Sequence, residues 1–157
     1  MRGFLMSAVL CLGAVLAGPG QALTLGIMPI KLLDTSGEGT DQAAVHGARI
    51  DAMGDALGRD LAARYGETLL IAPRDVSTGC PTEDAQCLID VAAAAGADQA
   101  LFMVVVKTSE LIMQMYVQIV DVPRRAVVQK RELNFRGDTD ESWRRAGQFL
   151  VDNLRTP

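Results

Sequence analysis

Gln99–Asp121 reads QALFMVVVKTSELIMQMYVQIVD, and its two halves carry different patterns. Leu101, Phe102, Met103, Val104, Val105 and Val106 are consecutive and apolar. Such a run marks a strand buried on both faces of a sheet. After Lys107-Thr108-Ser109 the pattern becomes alternation. Leu111, Met113, Met115, Val117 and Ile119 point one way, while Glu110, Gln114, Tyr116 and Gln118 point the other. A central strand therefore turns, at Lys107–Ser109, into a half-exposed antiparallel neighbour.

Working outward, Leu25, Ile27, Met28 and Ile30 predict a first strand over Leu23–Leu32, broken by the turn formers of Asp34–Asp41. His46, Ile50, Met53, Leu57, Leu61 and Arg64 or Tyr65 recur at three- and four-residue steps. They predict a helix over Gln42–Tyr65 that Gly66 closes. Thr68–Ala72 is a short second strand, and Arg74–Gly79 reads as a loop. Pro81, Glu83 and Asp84 suit the opening of a second helix whose stripe is Leu88, Val91, Ala92 and Ala95. Beyond the central pair, Val122–Arg125 is a turn and Ala126–Phe135 a last strand with Val127, Leu133 and Phe135 inward. Gln129 and Arg131 on that same face mark an edge strand incompletely covered there. Asp138, with Glu141 three residues on, forms a capping-box pattern for a final helix that buries Trp143, Ala146 or Gly147, Leu150 and Leu154.

The order β-α-β-α-β-β-β-α predicts a single α/β domain with a mixed five-stranded sheet, order 2-1-3-4-5, and helices on both faces. The reversal beside the first strand is a switch point, where open α/β sheets bind ligands. Strand directions gather Asp34–Asp41, Arg74–Cys80, the Lys107–Ser109 turn and the start of the last helix at one rim.

Residues 1–22 read as a cleaved secretory signal. Arg2 is followed by the apolar run Phe4–Ala17 and a small-residue end, Gly18-Pro19-Gly20-Gln21-Ala22. Lipidation at Cys11 is the alternative, although Ala8-Val9-Leu10 before it fits a lipidation box poorly. The expected mature chain, 23–157, is then periplasmic. With Arg2 removed, 14 basic residues face 19 acidic ones, a net charge of −5. That balance argues against nucleic acid and against anionic lipid surfaces. Cys80 and Cys87 remain as an even pair in an oxidising compartment, where a disulfide is the expected state.

No motif declares a reaction. His46 lies on the buried stripe of its helix. Asp34, Asp138, Asp140 and Glu141 suit calcium, but cap and dipole roles account for the last three. Met113 and Met115 face the core rather than a copper ion. Gly37-Glu38-Gly39 lacks the spacing and lysine of a P-loop. Arg136-Gly137-Asp138 is a helix entrance, and Ser36 or Ser109 as nucleophile needs a base, for which His46 is the only imidazole. The reading is of a chain without cofactor, metal or catalytic residues.

Leu33-Asp34-Thr35-Ser36, Ala95-Gly96-Ala97-Asp98 and Gly137-Asp138-Thr139-Asp140-Glu141-Ser142-Trp143 resemble a family of small exported bacterial proteins that carries a domain-of-unknown-function label. The element order is similar to that of the TolB N-terminal domain and of the curli-secretion and penicillin-binding-protein-activator lipoproteins. The resemblance implies a non-enzymatic accessory module that docks to another envelope protein. Asp34, Thr35, Ser36, Arg74, Lys107, Arg136, Asp138, Asp140 and Glu141 form the candidate docking edge, in which Thr35 or Ser36 is expected to bond the start of the last helix. The under-protected last strand is a second surface, open to another strand. The alternative is a small-ligand or ion-binding protein that uses the switch-point crevice.

Overall fold

The computed structural model describes residues 23–39 and 41–155. The expected signal segment, Cys11 included, lies outside them. In chain order the elements are β1 (Leu23–Ile27), β2 (Lys31–Asp34), α1 (Ala43–Tyr65), β3 (Gly66–Leu70), α2 (Pro73–Gly79), α3 (Ala85–Ala94), β4 (Gln99–Ser109), β5 (Ile112–Asp121), β6 (Ala126–Phe135) and α4 (Asp140–Asn153). The strands form a six-stranded mixed sheet, β3-β1-β4-β5-β6, with β2 also paired to β4. Apart from β2, this is the order expected from the sequence.

The sixth strand arises because the predicted first strand is two. β1 lies parallel to β4 at Gln99–Leu101, and β2 resumes parallel to β4 at Val104–Lys107. Pro29 falls between them and has no N–H to give the ladder. β4 serves as the spine, with β1 and β2 end to end on one side and β5 on the other.

Two apolar layers flank the sheet. On one face α1 and α4 bury Met53, Leu57, Leu61, Trp143 and Leu150 against Leu101, Met103, Val105, Met113, Met115, Val117 and Ile119. On the other, Val76 of α2 and Ile89, Val91 and Ala92 of α3 pack on Ala100 and Val120. β1 comes close to the α3–β4 connection: a Cβ on Gly26 would stand 2.8 Å from the Ala97 Cβ, so only glycine fits.

Four local expectations need correction. Arg74–Gly79 is not a loop but most of α2, nucleated by Pro73 at the first helical position. α3 opens later than Pro81: Asp84 is its N-cap and accepts from the Cys87 N–H. Cys87 therefore lies in the first turn, where it forms the expected disulfide with Cys80. The turn after β4 falls at Glu110–Leu111, so Lys107 is a strand residue and Leu111 is exposed. In β6 a register shift opposite Ile119 and Val120 pairs Val127 with Val120. The bulge carries Val127 off the inward row and leaves it 45% exposed.

The disulfide closes a short loop, and the chain-entropy model gives it about 2–3 kcal/mol. Cys87→Ser should lower stability by that amount and leave the far-UV spectrum unchanged. Equal urea midpoints for wild type and variant would show that the bridge contributes nothing.

Candidate functional site

Alternation along β4 carries Leu101, Met103, Val105 and then Lys107 to the α1/α4 face. Lys107 is thus a lysine in a core position, and its side chain is fully buried. A buried ammonium is costly unless its three protons are bonded and its charge balanced. Here Nζ donates to Glu38 Oε2 at 2.7 Å and to Gln42 Oε1 at 2.7 Å, and Asp138 Oδ2 lies at 3.0 Å. Asp34 Oδ2 stands further out at 3.7 Å. Burial pulls the Lys107 pKa down. The hydrogen bonds to Glu38 and Asp138 outweigh that pull and leave it above its ordinary 10.5.

Asp138, between β6 and α4, is the counterpart, with its carboxylate 4% exposed. Besides Lys107 it meets His46 Nε2 at 2.7 Å, and it accepts from Arg49 at 2.7 Å and from the Trp143 indole N–H at 2.9 Å. Burial pushes its carboxyl up, but the bonds from His46, Trp143 and Lys107 prevail and hold it at about 2. Trp143 is fixed further by edge-on contact with Phe135, ring centroids 5.8 Å apart. Among the described residues, no buried side-chain nitrogen or oxygen lacks a hydrogen-bond partner. One carboxylate therefore ties together α1, β4 and the entrance of α4.

This hub displaces the expected capping box. Thr139, not Asp138, is the N-cap of α4; its hydroxyl accepts from the Ser142 N–H at 3.2 Å. Gly137, at φ +86°, turns the chain so that Asp138 points inward. Glu141 bonds Arg144 instead of reaching back to the cap. Thr139→Ala should cost about 1 kcal/mol, read as a lower thermal midpoint, whereas Glu141→Ala, on an exposed face, should shift it far less. Comparable shifts for both would contradict the cap assignment.

Of the nine residues of the expected rim, Asp34, Lys107 and Asp138 converge directly, and Arg49 connects Asp138 to Asp140 with a 2.8 Å bond. Thr35 and Ser36 do not bond the last helix. Thr35 donates to the Lys107 carbonyl, while Ser36 closes a local turn on Asp34. Arg136 and Glu141 are exposed on the flank of α4 and away from the hub. Arg74 lies apart from all of these. It opens α2 after β3, whose end pairs with Ile27 and through it with Leu101, six residues before Lys107 along β4, and its ion-pair partner is Asp75.

Sequence reading missed Glu38, Gln42, Arg49 and the indole of Trp143. Only Lys107 carried a signal: it continues the inward parity of Leu101, Met103 and Val105.

The fold is thus a mixed α/β sheet with paired helical layers, locked at one rim by an internal charge cluster. Residues 24–154 match the model of the DUF3280 family, described as "Protein of unknown function (DUF2380)", and the chain belongs to that family. A search of the curated proteins finds no match. Among solved structures, the chain is similar to a neuraminyllactose-binding hemagglutinin homolog from Helicobacter pylori. Identity there is 6%, with 88% of this chain and 86% of that one covered, at a TM-score of 0.58. It is also similar to the LpoB C-terminal domain from Escherichia coli, at 12% identity, 72% and 82% coverage and a TM-score of 0.49. TolB from Acinetobacter baumannii matches at 18% identity and a TM-score of 0.48; 85% of this chain is covered, but only 27% of TolB. Among the described residues, no helix is long and apolar enough to cross a membrane.

Proposed function

We propose that this chain is an exported envelope module that works by docking to another envelope protein and performs no reaction of its own. The observation that carries the reading is the closure of the charge cluster. Lys107, Asp138 and His46 are nearly inaccessible to solvent and bonded to one another. A general base or nucleophile must reach substrate through a cleft. These groups instead hold α4 onto β4. In this reading, Lys107 and Asp138 fix the entrance of α4 from beneath, and the exposed flank of α4 beside it is left to a partner.

Immobilised mature protein incubated with envelope extract is expected to retain one partner in near-stoichiometric amount. A thermal-shift panel of metal ions and metabolites should leave the midpoint unmoved. A clear upward shift with one small compound, and no retained protein, would overturn docking in favour of ligand binding.

A further inference from the structure

β6 is an edge strand. It pairs with β5 alone, so every second residue presents its N–H and C=O away from the sheet. Its two halves differ. Toward the N-terminal half, the Arg131 guanidinium folds back onto the Lys130 carbonyl and bonds the Asn153 carbonyl at the end of α4. Gln129 is likewise held by Arg155. These bonds take up the Lys130 carbonyl and tie the end of α4 and Arg155 beyond it to that end of β6. Among the described residues, Glu132–Phe135 has no side-chain bond to its backbone.

Beside this open half runs a groove of about 590 Å³ between β6 and α4. Leu133, Phe135, Ala146 and Phe149 line it, and Phe149 is 54% exposed. Arg136 and Arg145 stand on the groove wall. Arg136 is exposed and forms no ion pair among the described residues. Arg145 has one longer contact, 3.3 Å, to Glu141. On the groove itself the charges are Arg136 and Arg145 against Glu132, with Glu141 reaching Arg145 from the same helix, so Arg136 is the cation left to meet a ligand. A free strand edge, an apolar trough under one face of any added strand and the exposed Arg136 beside it form a recognition site for an extended segment.

We propose that the open half of β6 and its groove with α4 bind an extended acidic segment of the partner by strand addition, with apolar side chains over Phe149 and a carboxylate at Arg136. This rests on the docking reading and names the surface and the partner's chemistry.

The test uses fluorescent eight-residue peptides of alternating valine and glutamate, alternating valine and lysine, and the valine–glutamate peptide N-methylated at every second residue. Titrated into the described chain at low salt, the glutamate peptide should bind at least tenfold tighter than the other two. R136E and F149D, both at exposed positions, should each weaken it at least tenfold with an unchanged thermal midpoint. Equal binding of the acidic and basic peptides, or indifference to both substitutions, would overturn the site. So would a dimer of this chain that F149D dissociates, since a second copy would then occupy the edge. The two readings fail differently. A partner retained equally by wild type and by the R136E/F149D double variant preserves docking and removes this surface. No retained partner at all removes the docking reading itself.

Discussion

Lys107→Met is expected to lower the free energy of unfolding by about 3–5 kcal/mol, the usual cost of removing one member of a buried ion pair. Methionine fills the space of the lysine stem, so the loss is electrostatic and not a cavity effect. Asp138 and Glu38 would lose the ammonium that balances them, and Gln42 would lose its donor. Glu38 is partly exposed and can recover water; Asp138 is not and cannot. The damage should therefore centre on the entrance of α4, seen as earlier amide exchange at Thr139–Trp143 than in β4 itself. A loss below about 1 kcal/mol would place Lys107 among surface ion pairs of little worth.

Asp138→Asn is expected to cost about 3 kcal/mol at neutral pH, since Lys107, Arg49 and His46 would face a neutral amide. The pH dependence is set by sign. The folded state holds this carboxyl at about 2, below its ordinary 3.8. Its ionised form therefore stabilises the fold above pH 4, and the contribution fades as the pH falls from about 4 through 2. The gap between wild type and variant should close across that window, because protonated aspartic acid resembles asparagine. Lys107 shifts the other way, so its contribution persists up to its ordinary 10.5 and is lost only as the pH rises beyond it. Urea titrations from pH 2 to 6 measure the acid limb. A constant gap over that range would mean that another group carries the titration.

Much of the fold is legible because burial imposes periodicity. The strand order follows from the apolar run of β4, the alternation of β5 and the stripes of α1 and α4. The bounds of β6 follow from its turn residues. What was not legible depends on contacts that have no period. Pro29 splits the first strand only because β4 is long enough to pair with both pieces. Val127 leaves the core row through a bulge that no pattern in β6 announces. Gln129 and Arg131 face inward as expected, yet they serve the carbonyls at the end of α4.

The rim shows the same limit. Asp34 and Asp138 fall at one end because strand direction requires it, and that much follows from topology. Lysine is seldom buried, so Lys107-Thr108-Ser109 reads as a turn. The parity of Lys107 with Leu101, Met103 and Val105 was the better guide. Its principal acceptor, Glu38, stands 69 residues away in sequence, and nothing local links the two. The capping signal at Asp138 was real in composition but shifted by one residue. Thr139 takes the cap, and the aspartate is released to the interior.

One buried lysine–aspartate contact joins the end of β4 to the entrance of α4 and holds the rim as a unit. A double-mutant cycle on Lys107→Met and Asp138→Asn, by urea denaturation at pH 7, measures it most directly. The double variant is expected to be more stable than the sum of the two losses implies, by about 1.5–3 kcal/mol. Losses that add to within about 0.5 kcal/mol would contradict it, because the two groups would then act independently.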